Sequence, residues 1–481
     1  MTLGVEEYRD LLRTALGPAG DAGTQPPDFR TLFTPGSHRM ALDPDATVVR
    51  GGRGVGKTVW FKALQNDQLR TVAASTYQLG RLTSARAVAG YGEELRPDDY
   101  PGPAALKGLL AARVDPSDIW AAVLLTALDV PVVRAISRWS DRVQWLQNNP
   151  DEFDRAIGSA DQVAAGSGQL VLVLFDALDR LSGERREAEK LIDSLLRLAL
   201  DLRTRTRSLR AKIFIRHDMF VTEQLQFRDA SKLIATAADL TWTATDLFGL
   251  LYQLMGNAAS AEQLSEQFRG DSGDWNFQDG GRYTPPRALV GDQAHQRLEF
   301  EKMAGSYMGT DHRKGRPYTW LPNHLIDGVG QVSPRSFLSA IRRANDVTSQ
   351  EYAAHVTALH WDAIRRGVQL ASQTRVAEVQ EDLPWIGAAV NPLRGLQVPI
   401  EEPEVLSRWD DDGLAERLRS LNDDTEEVRT GPRSVGGHAL VEELRELGVM
   451  TRRVDGRLDL PDIYRIAFNV GRKGGVPRIK H

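Results

Sequence analysis

One short segment constrains this chain more than any other: the glycine-rich run GGRGVGKT at residues 51–58. An apolar, β-branched stretch precedes it at 46–50, and a stretch of helical composition, VWFKAL, follows it at 59–64. Glycine tolerates positive φ and lets the backbone approach a ligand closely, and the N–H groups at a helix start attract anions. The run therefore predicts a strand, a tight anion-binding loop and a helix, in that order.

The spacing of this run matches G-x-x-x-x-G-K-[ST], the pattern of a phosphate-binding loop. In this pattern the backbone N–H groups surround the phosphates, the Lys57 ammonium faces the β- and γ-phosphates, and the Thr58 hydroxyl binds Mg²⁺. The sequence shows no guanine-reading N/T-K-x-D motif, so we expect ATP and Mg²⁺ as ligands. The residues predicted to bind nucleotide are Gly51, Gly52, Arg53, Gly54, Val55, Gly56, Lys57 and Thr58.

A carboxylate in the right place completes the expected Mg²⁺ site. Six apolar residues at 170–175 are followed directly by Asp176. The first polar side chain beyond a buried parallel strand emerges at the carboxyl edge of the sheet, where ligands bind in α/β folds. Asp176 is therefore predicted to be a metal ligand together with Thr58.

The surrounding sequence alternates short apolar strands with helices, which is typical of an α/β fold with a parallel sheet covered on both faces. The expected strands are 46–50, 71–74, 170–175, 212–215 and 239–243, and the expected helices include 5–16, 116–129 and 187–202. Residues 75–115, rich in glycine and proline, are expected to form an insertion or a lid. Residues 244–390 are mostly helical, with a surface loop expected at 270–286.

The C-terminal region has the pattern of a winged-helix module. Helical segments precede VMTRRVDGRLDLPD, where Asp455-Gly456 predicts a hairpin with a type I′ turn, and another helical segment follows. The formal charge changes from −6 over residues 401–440 to +3 over 441–481, which indicates a separate unit. The predicted domains are an N-terminal helix and linker (1–45), an ATPase core (46–250), a helical lid (251–398) and the winged helix (399–481).

Composition narrows the alternatives. The 481 residues include no cysteine, which excludes disulfides and thiolate metal sites and fits a cytoplasmic protein. The net charge of −5 argues against a general polyanion binder. The most apolar stretches are too short to cross a bilayer, and the N-terminus lacks a signal-peptide pattern, so no membrane association is expected.

Three motifs in this order, GGRGVGKT, LVLFDALDRL and KIFIRHDMF, resemble the P-loop ATPases that comprise AAA+ proteins and their STAND and KAP relatives. The resemblance covers roughly residues 30–345. It implies that Asp179 is the second acid of the D-x-L-D-R form, although a structural acid paired with Arg180 or Arg185 is the competing interpretation. AAA+ proteins usually carry a glutamate directly after the Mg²⁺ aspartate; Ala177 stands there, so we expect slow hydrolysis.

The same resemblance implies roles for three arginines. Arg216 matches the γ-phosphate sensor of STAND-like ATPases, although an ion pair with Asp218 competes with this interpretation. Arg335, in the first turn of a helix that begins at Ser333-Pro334, resembles the sensor-2 position, and an ordinary surface arginine is the alternative. Arg228 lies where relatives carry a finger that enters a neighbour's site, a role that requires a homo-oligomer.

Three functions are compatible with these features. The first is an ATP-driven switch whose winged helix contacts a protein partner or a second copy, as in bacterial signalling or antiviral defence. The second is a DNA-bound ATPase whose winged helix enters a groove, and the third is a nucleotide-holding scaffold that does not hydrolyse. Arg452, Arg453 and Arg457 could grip phosphates, but three glutamates occupy the preceding helix, at 442, 443 and 446, so partner contact is favoured over DNA.

Overall fold

The structure, a computed structural model of the chain, describes residues 3–18, 28–182, 185–220, 227–423 and 431–472. These residues divide into two compact units. The sheet unit comprises the described residues from 36 to 241, and the helical unit comprises the described residues before 36 and after 241. The finer division into four domains stays a prediction.

A five-stranded parallel sheet forms the centre of the sheet unit, and it confirms the predicted α/β class. In chain order its strands are β1 (Val48–Arg50), β2 (Ala85–Tyr91), β3 (Leu170–Phe175), β4 (Leu209–Ile215) and β5 (Ala238–Asp239). Their spatial order is β2-β3-β4-β1-β5, and every neighbouring pair is parallel. The carboxyl ends of β1, β3 and β4 therefore meet at one edge of the sheet, with β4 between the other two.

Helices pack around this sheet because its strands carry apolar side chains on both faces. Their bounds are Arg39–Leu42, Lys57–Gln65, Asp67–Tyr77, Gly80–Thr83, Pro103–Ala111, Pro116–Ala127, Pro131–Arg134, Trp139–Asn148, Pro150–Gly166, Arg185–Arg205 and Ala230–Thr236. The buried Trp120 indole lies edge-on to Phe175, at 5.7 Å between ring centroids, and donates a 2.7 Å hydrogen bond to the Leu191 carbonyl. One side chain thereby joins two helices to β3.

Two strand predictions were wrong. Residues 71–74 lie inside the helix Asp67–Tyr77, whose start is capped by the Asn66 side chain accepting from the Leu69 N–H. The second strand is instead β2, inside the segment expected to be an insertion or a lid. The predicted strand at 239–243 is reduced to Ala238–Asp239.

The helical unit has one hydrophobic core. It contains side chains from the N-terminal helix, such as Leu12, from the middle of the chain, such as Phe248 and Phe337, and from the C-terminal segment, such as Leu458 and Val470. Its helices are Val5–Leu16, Ala244–Gly256, Glu262–Ser272, Arg287–Gly291, Gln293–Ala304, Pro317–Leu325, Pro334–Glu351, Trp361–Asp382, Pro384–Val390, Glu402–Asp411, Leu414–Asp423, Gly437–Glu446 and Asp462–Arg465. The expected surface loop at 270–286 contains an antiparallel pair, Asn276–Gln278 with Arg282–Thr284.

The predicted C-terminal hairpin forms, but its turn differs from the expected type. Thr451–Arg452 pairs antiparallel with Leu458–Asp459. Within the described hairpin, positive φ occurs at Gly456 (88°) and not at Asp455, and the Gly456 N–H donates to the Arg453 carbonyl. A type I′ turn requires positive φ at both central residues, so this turn is not of that type. It is a three-residue loop with glycine in the left-handed position. A parallel pair, Gln397–Val398 with Gly471–Arg472, lies in the same unit.

Across the part of the chain that the structure describes, no helix combines the length and the apolar character needed to span a bilayer.

Candidate functional site

The loop at 51–58 has the strand–loop–helix geometry that its sequence predicts. It leaves the end of β1, where the Gly51 N–H donates to the Ile215 carbonyl of β4 at 3.1 Å, and it ends at the helix Lys57–Gln65. Gly54 and Gly56 have φ of 77° and 103°, in the region that favours glycine. A Cβ on Gly51 would come within 2.6 Å of the Val55 side chain. The loop therefore has the tight backbone path of an anion cradle.

The Lys57 side chain lies over this loop. Its ammonium donates to the carbonyls of Gly51 at 3.0 Å and Gly52 at 2.8 Å. The pKa of Lys57 is lowered to about 8, mainly by burial and also by Arg216, while the carboxylates of Asp176, Asp179 and Asp218 oppose the shift. The ammonium is thus a poorly hydrated cation, and a bound anion would stabilise it strongly.

Thr58 and Asp176 meet at the edge of the sheet. Asp176 directly follows β3, is 3 % exposed, and its carboxylate accepts hydrogen bonds from the Thr58 hydroxyl and the Ala177 N–H. Burial raises the pKa of Asp176, and these hydrogen bonds and Lys57 oppose that rise. A hydroxyl and a carboxylate oxygen side by side are ligands that suit Mg²⁺, which usually takes one or two carboxylates and completes its shell with phosphates and water.

No group of three or more histidine or acidic side chains in the described residues could hold a metal ion by itself. A divalent cation at the Thr58–Asp176 pair would therefore depend on phosphate oxygens and water for its remaining ligands. The donor set and the glycine cradle both fit a Mg²⁺–nucleotide complex. Thr58 and Asp176 are the residues that would hold the cation.

Ala177 and Asp179 occupy the turn after β3. Ala177 has φ 56° and ψ 36°, a left-handed conformation that costs a non-glycine residue about 1 kcal/mol. The methyl group of Ala177 cannot accept a proton. Asp179 is exposed in the following one-turn helix, Leu178–Arg180, and its charge acts on both Lys57 and Asp176.

The competing interpretation of Asp179 predicted an ion pair with Arg180 or Arg185. The Arg180 guanidinium instead pairs with Glu93 at 2.8 Å, and the Arg185 side chain lies outside the described residues. Asp179 is thus an exposed acid near the cradle, and its role as a base stays a prediction.

Arg216 is the first residue beyond β4 and lies near Lys57, whose pKa it lowers. Its guanidinium makes two hydrogen bonds to the Asp218 carboxylate, at 3.0 Å from Nε and 3.1 Å from Nη2. The structure therefore contains the ion pair that competes with the phosphate-sensor interpretation, at a position close to the cradle.

A second ion pair at the same edge was not anticipated from the sequence. Arg50, the last residue of β1, makes two 2.9 Å hydrogen bonds to Asp239, the last residue of β5. His217 lies beside this pair, with its Nδ1 3.7 Å from Asp239 Oδ1; burial, with Arg50 and Lys57, lowers the pKa of His217. The available signal was the occurrence of charged residues at the ends of adjacent strands.

The remaining predicted arginines are Arg228 and Arg335. Arg228 is exposed in the turn before the helix Ala230–Thr236, between β4 and β5 along the chain. Arg335 belongs to the helical unit, near the start of the helix Pro334–Glu351, and donates to Glu378 at 2.9 Å. Their proposed roles as finger and sensor stay predictions.

No protein-family model matches the sequence, and no curated protein matches it. Among solved structures, the chain is similar to the Orc2 protein of Aeropyrum pernix in its ADPNP–ADP complexes, with 12 % identity and a TM-score of 0.35 over 87 % of this chain and 84 % of that one. It is also similar to Cdc6p of Pyrobaculum aerophilum, with 14 % identity and a TM-score of 0.28 over 87 % and 83 % of the two chains. At these values the similarities carry no inference about activity.

Proposed function

We propose that this chain binds ATP with Mg²⁺ at the carboxyl edge of the parallel sheet. We infer that it acts as a regulatory switch and hydrolyses ATP slowly. The observation that supports this most is the convergence of Lys57, Thr58 and Asp176, from two different strand ends, beside a glycine cradle. The cradle N–H groups and Lys57 would bind the phosphates. Mg²⁺, when bound, would offset the negative charge of the phosphate oxygens.

Slow turnover follows from the turn after β3. Efficient hydrolysis needs a group that orients and deprotonates the attacking water. Ala177 provides none, and Asp179, two residues further on, is the base that the proposal assigns. Slow hydrolysis suits a switch that stays in its ATP-bound state for a long time, and it suits a motor less well. The non-hydrolysing scaffold is the outcome in which wild type binds ATP and shows no turnover.

The switch would act through the helical unit. In this proposal Arg335 senses the nucleotide, Arg228 reaches a second copy, and the winged helix at 399–481 contacts a protein partner or another copy. A place in bacterial signalling or antiviral defence is the part of the proposal that rests on the STAND and KAP resemblance alone.

The pairing of the hairpin arginines weighs against the DNA alternative. Arg452 is held by Glu402 at 2.6 Å, Arg453 by Asp459 at 2.7 Å and Arg457 by Asp455 at 2.6 Å. A phosphate would have to compete with a carboxylate for each of them. The salt-dependent part of DNA affinity grows with the number of phosphates that a protein neutralises. Because these arginines are already paired, we expect the hairpin to add little to DNA affinity.

The test combines turnover with assembly state. ATP hydrolysis is measured with and without duplex DNA, while mass photometry follows oligomerisation in ATP, ADP and no nucleotide. The proposal predicts slow turnover that DNA leaves unchanged and an assembly state that differs between ATP and ADP. Asp179→Asn should abolish turnover without loss of ATP binding, and Asp279→Asn, an exposed acid in the helical unit, is the matched control.

Two results would contradict the proposed switch. Turnover that DNA stimulates, and that Arg452/Arg453/Arg457→Ala makes insensitive to DNA, would favour the DNA-bound ATPase. Identical assembly in ATP and ADP, together with wild-type turnover in Asp179→Asn, would contradict both the switch and the assigned base.

A further inference from the structure

In the Arg216–Asp218 pair, the carboxylate occupies N–H donors that a phosphate could also use. A guanidinium offers a planar fork of N–H donors that matches two oxygens of a carboxylate or of a phosphate equally well. Asp218 occupies that fork with both of its oxygens, at 3.0 and 3.1 Å. A phosphate that binds Arg216 through the same edge, Nε and Nη2, must displace this carboxylate.

The pair also lies where such a displacement would matter. Arg216 directly follows β4. The carbonyl of Ile215, the last residue of β4, accepts a hydrogen bond from the Gly51 N–H at the start of the cradle. Both Arg216 and Asp218 are close enough to Lys57 to change its pKa, in opposite directions. Their side chains are 17 % and 23 % exposed, so the pair is partly removed from water and is screened less than a surface ion pair.

We propose that Asp218 competes with the terminal phosphate of the nucleotide for Arg216 and thereby sets how strongly the site prefers ATP over ADP. The inference rests on the proposed function, because it assumes that the cradle binds both nucleotides. Asp218 is a positioning residue here: it holds Arg216 in the nucleotide-free arrangement and does not itself touch the substrate. ADP lacks the terminal phosphate and leaves the pair intact, whereas ATP must break it.

The experiment measures equilibrium binding, independently of hydrolysis. Dissociation constants of Mg²⁺·ATPγS and Mg²⁺·ADP are determined by calorimetry for wild type, Asp218→Asn, Arg216→Ala and the double variant. Asp218→Asn should raise the ratio Kd(ADP)/Kd(ATPγS) roughly tenfold, the value of one charged hydrogen-bonded contact, with ADP affinity within about twofold of wild type. The double variant should lose this gain, because the gain acts through Arg216.

A matched control comes from the C-terminal hairpin. Asp455 holds Arg457 by two hydrogen bonds at 2.9 and 2.6 Å, with the same two-residue spacing, in the other unit. Asp455→Asn should leave both dissociation constants unchanged. Asp218→Ser removes the same charge with a different side chain and should shift the ratio in the same direction as Asp218→Asn.

The outcomes separate this inference from the proposed function. If wild type binds neither nucleotide, the proposed function fails. If wild type binds both and the ratio stays unchanged in a folded Asp218 variant, or rises equally in the double variant, only the competition is overturned. Loss of folding in both Asp218 variants would make Asp218 a structural residue and would also overturn it.

Discussion

The protonation of Lys57 leads to a prediction about the pH dependence of nucleotide binding. Burial lowers the pKa of this ammonium to about 8 in the nucleotide-free protein. A bound polyphosphate would favour the charged form and raise that pKa. Below pH 8 the side chain is protonated both with and without nucleotide, so affinity is flat. Above pH 8 binding must take up a proton, so affinity falls as pH rises.

The magnitude follows from the titration of one group. With a pKa of about 8, roughly 0.1 of the Lys57 side chains are neutral at pH 7 and about 0.8 at pH 8.5. Those fractions are the protons taken up per nucleotide bound. Over the same linkage, affinity for Mg²⁺·ATPγS should fall about fivefold between pH 8 and pH 9.

The assay is titration calorimetry in two buffers that differ in ionisation enthalpy, because the difference in heat gives the proton uptake directly. Lys57→Arg is the matched control, since its guanidinium stays charged throughout this range and should show no uptake. If wild type binds ATPγS at pH 8.5 with proton uptake near zero, Lys57 retains its ordinary pKa and the predicted pH dependence is wrong.

Three further substitutions test the packing around the site. Gly51→Ala forces a Cβ to within 2.6 Å of the Val55 side chain, so we expect a loss of about 1–3 kcal/mol in urea unfolding together with weaker ATPγS binding; unchanged values would show that the loop can relax. Ala177→Gly relieves the left-handed conformation and should stabilise the protein by about 1 kcal/mol in the same assay, and a loss of stability would contradict this. Trp120→Phe removes the indole donor from the Leu191 carbonyl, which keeps its partner within the helix, and should cost about 0.5–1.5 kcal/mol; a neutral result would mean that this hydrogen bond adds nothing to stability.

The strands with continuous apolar runs were predictable from sequence, and the one without such a run was not. The six residues of β3 are all buried, and their composition alone indicates a strand. In β2, by contrast, alanine and glycine dominate, and a Cβ on Gly90 would come within 2.5 Å of the Phe175 ring. Its strand state depends on close packing against β3, which local sequence does not express. Residues 71–74 showed the opposite error, because the Asn66 cap outweighs the β-branched pair there.

Some features of the site were likewise predictable from the sequence, and others were not. Glycine spacing and the position of Asp176 after an apolar run were sufficient to place the cradle and its carboxylate at one edge, since parallel strands bring those ends together. The ion pair Arg50–Asp239 depends on strand order, because β5 lies beside β1 although the two are distant along the chain. The pair Arg216–Asp218 is local, and the sequence already offered it as the competing interpretation of Arg216. No local pattern in the sequence specifies that order.

Equilibrium binding of Mg²⁺·ATPγS to wild type and to Lys57→Ala tests whether the loop at 51–58 binds nucleotide. Lys314→Ala, which changes an exposed lysine in the helical unit, is the control. We expect one nucleotide per chain for wild type and for the control. Lys57→Ala should lose at least about a hundredfold in affinity, because a partly buried cation that faces phosphate contributes several kcal/mol. Binding to Lys57→Ala within a few-fold of wild type would contradict this expectation.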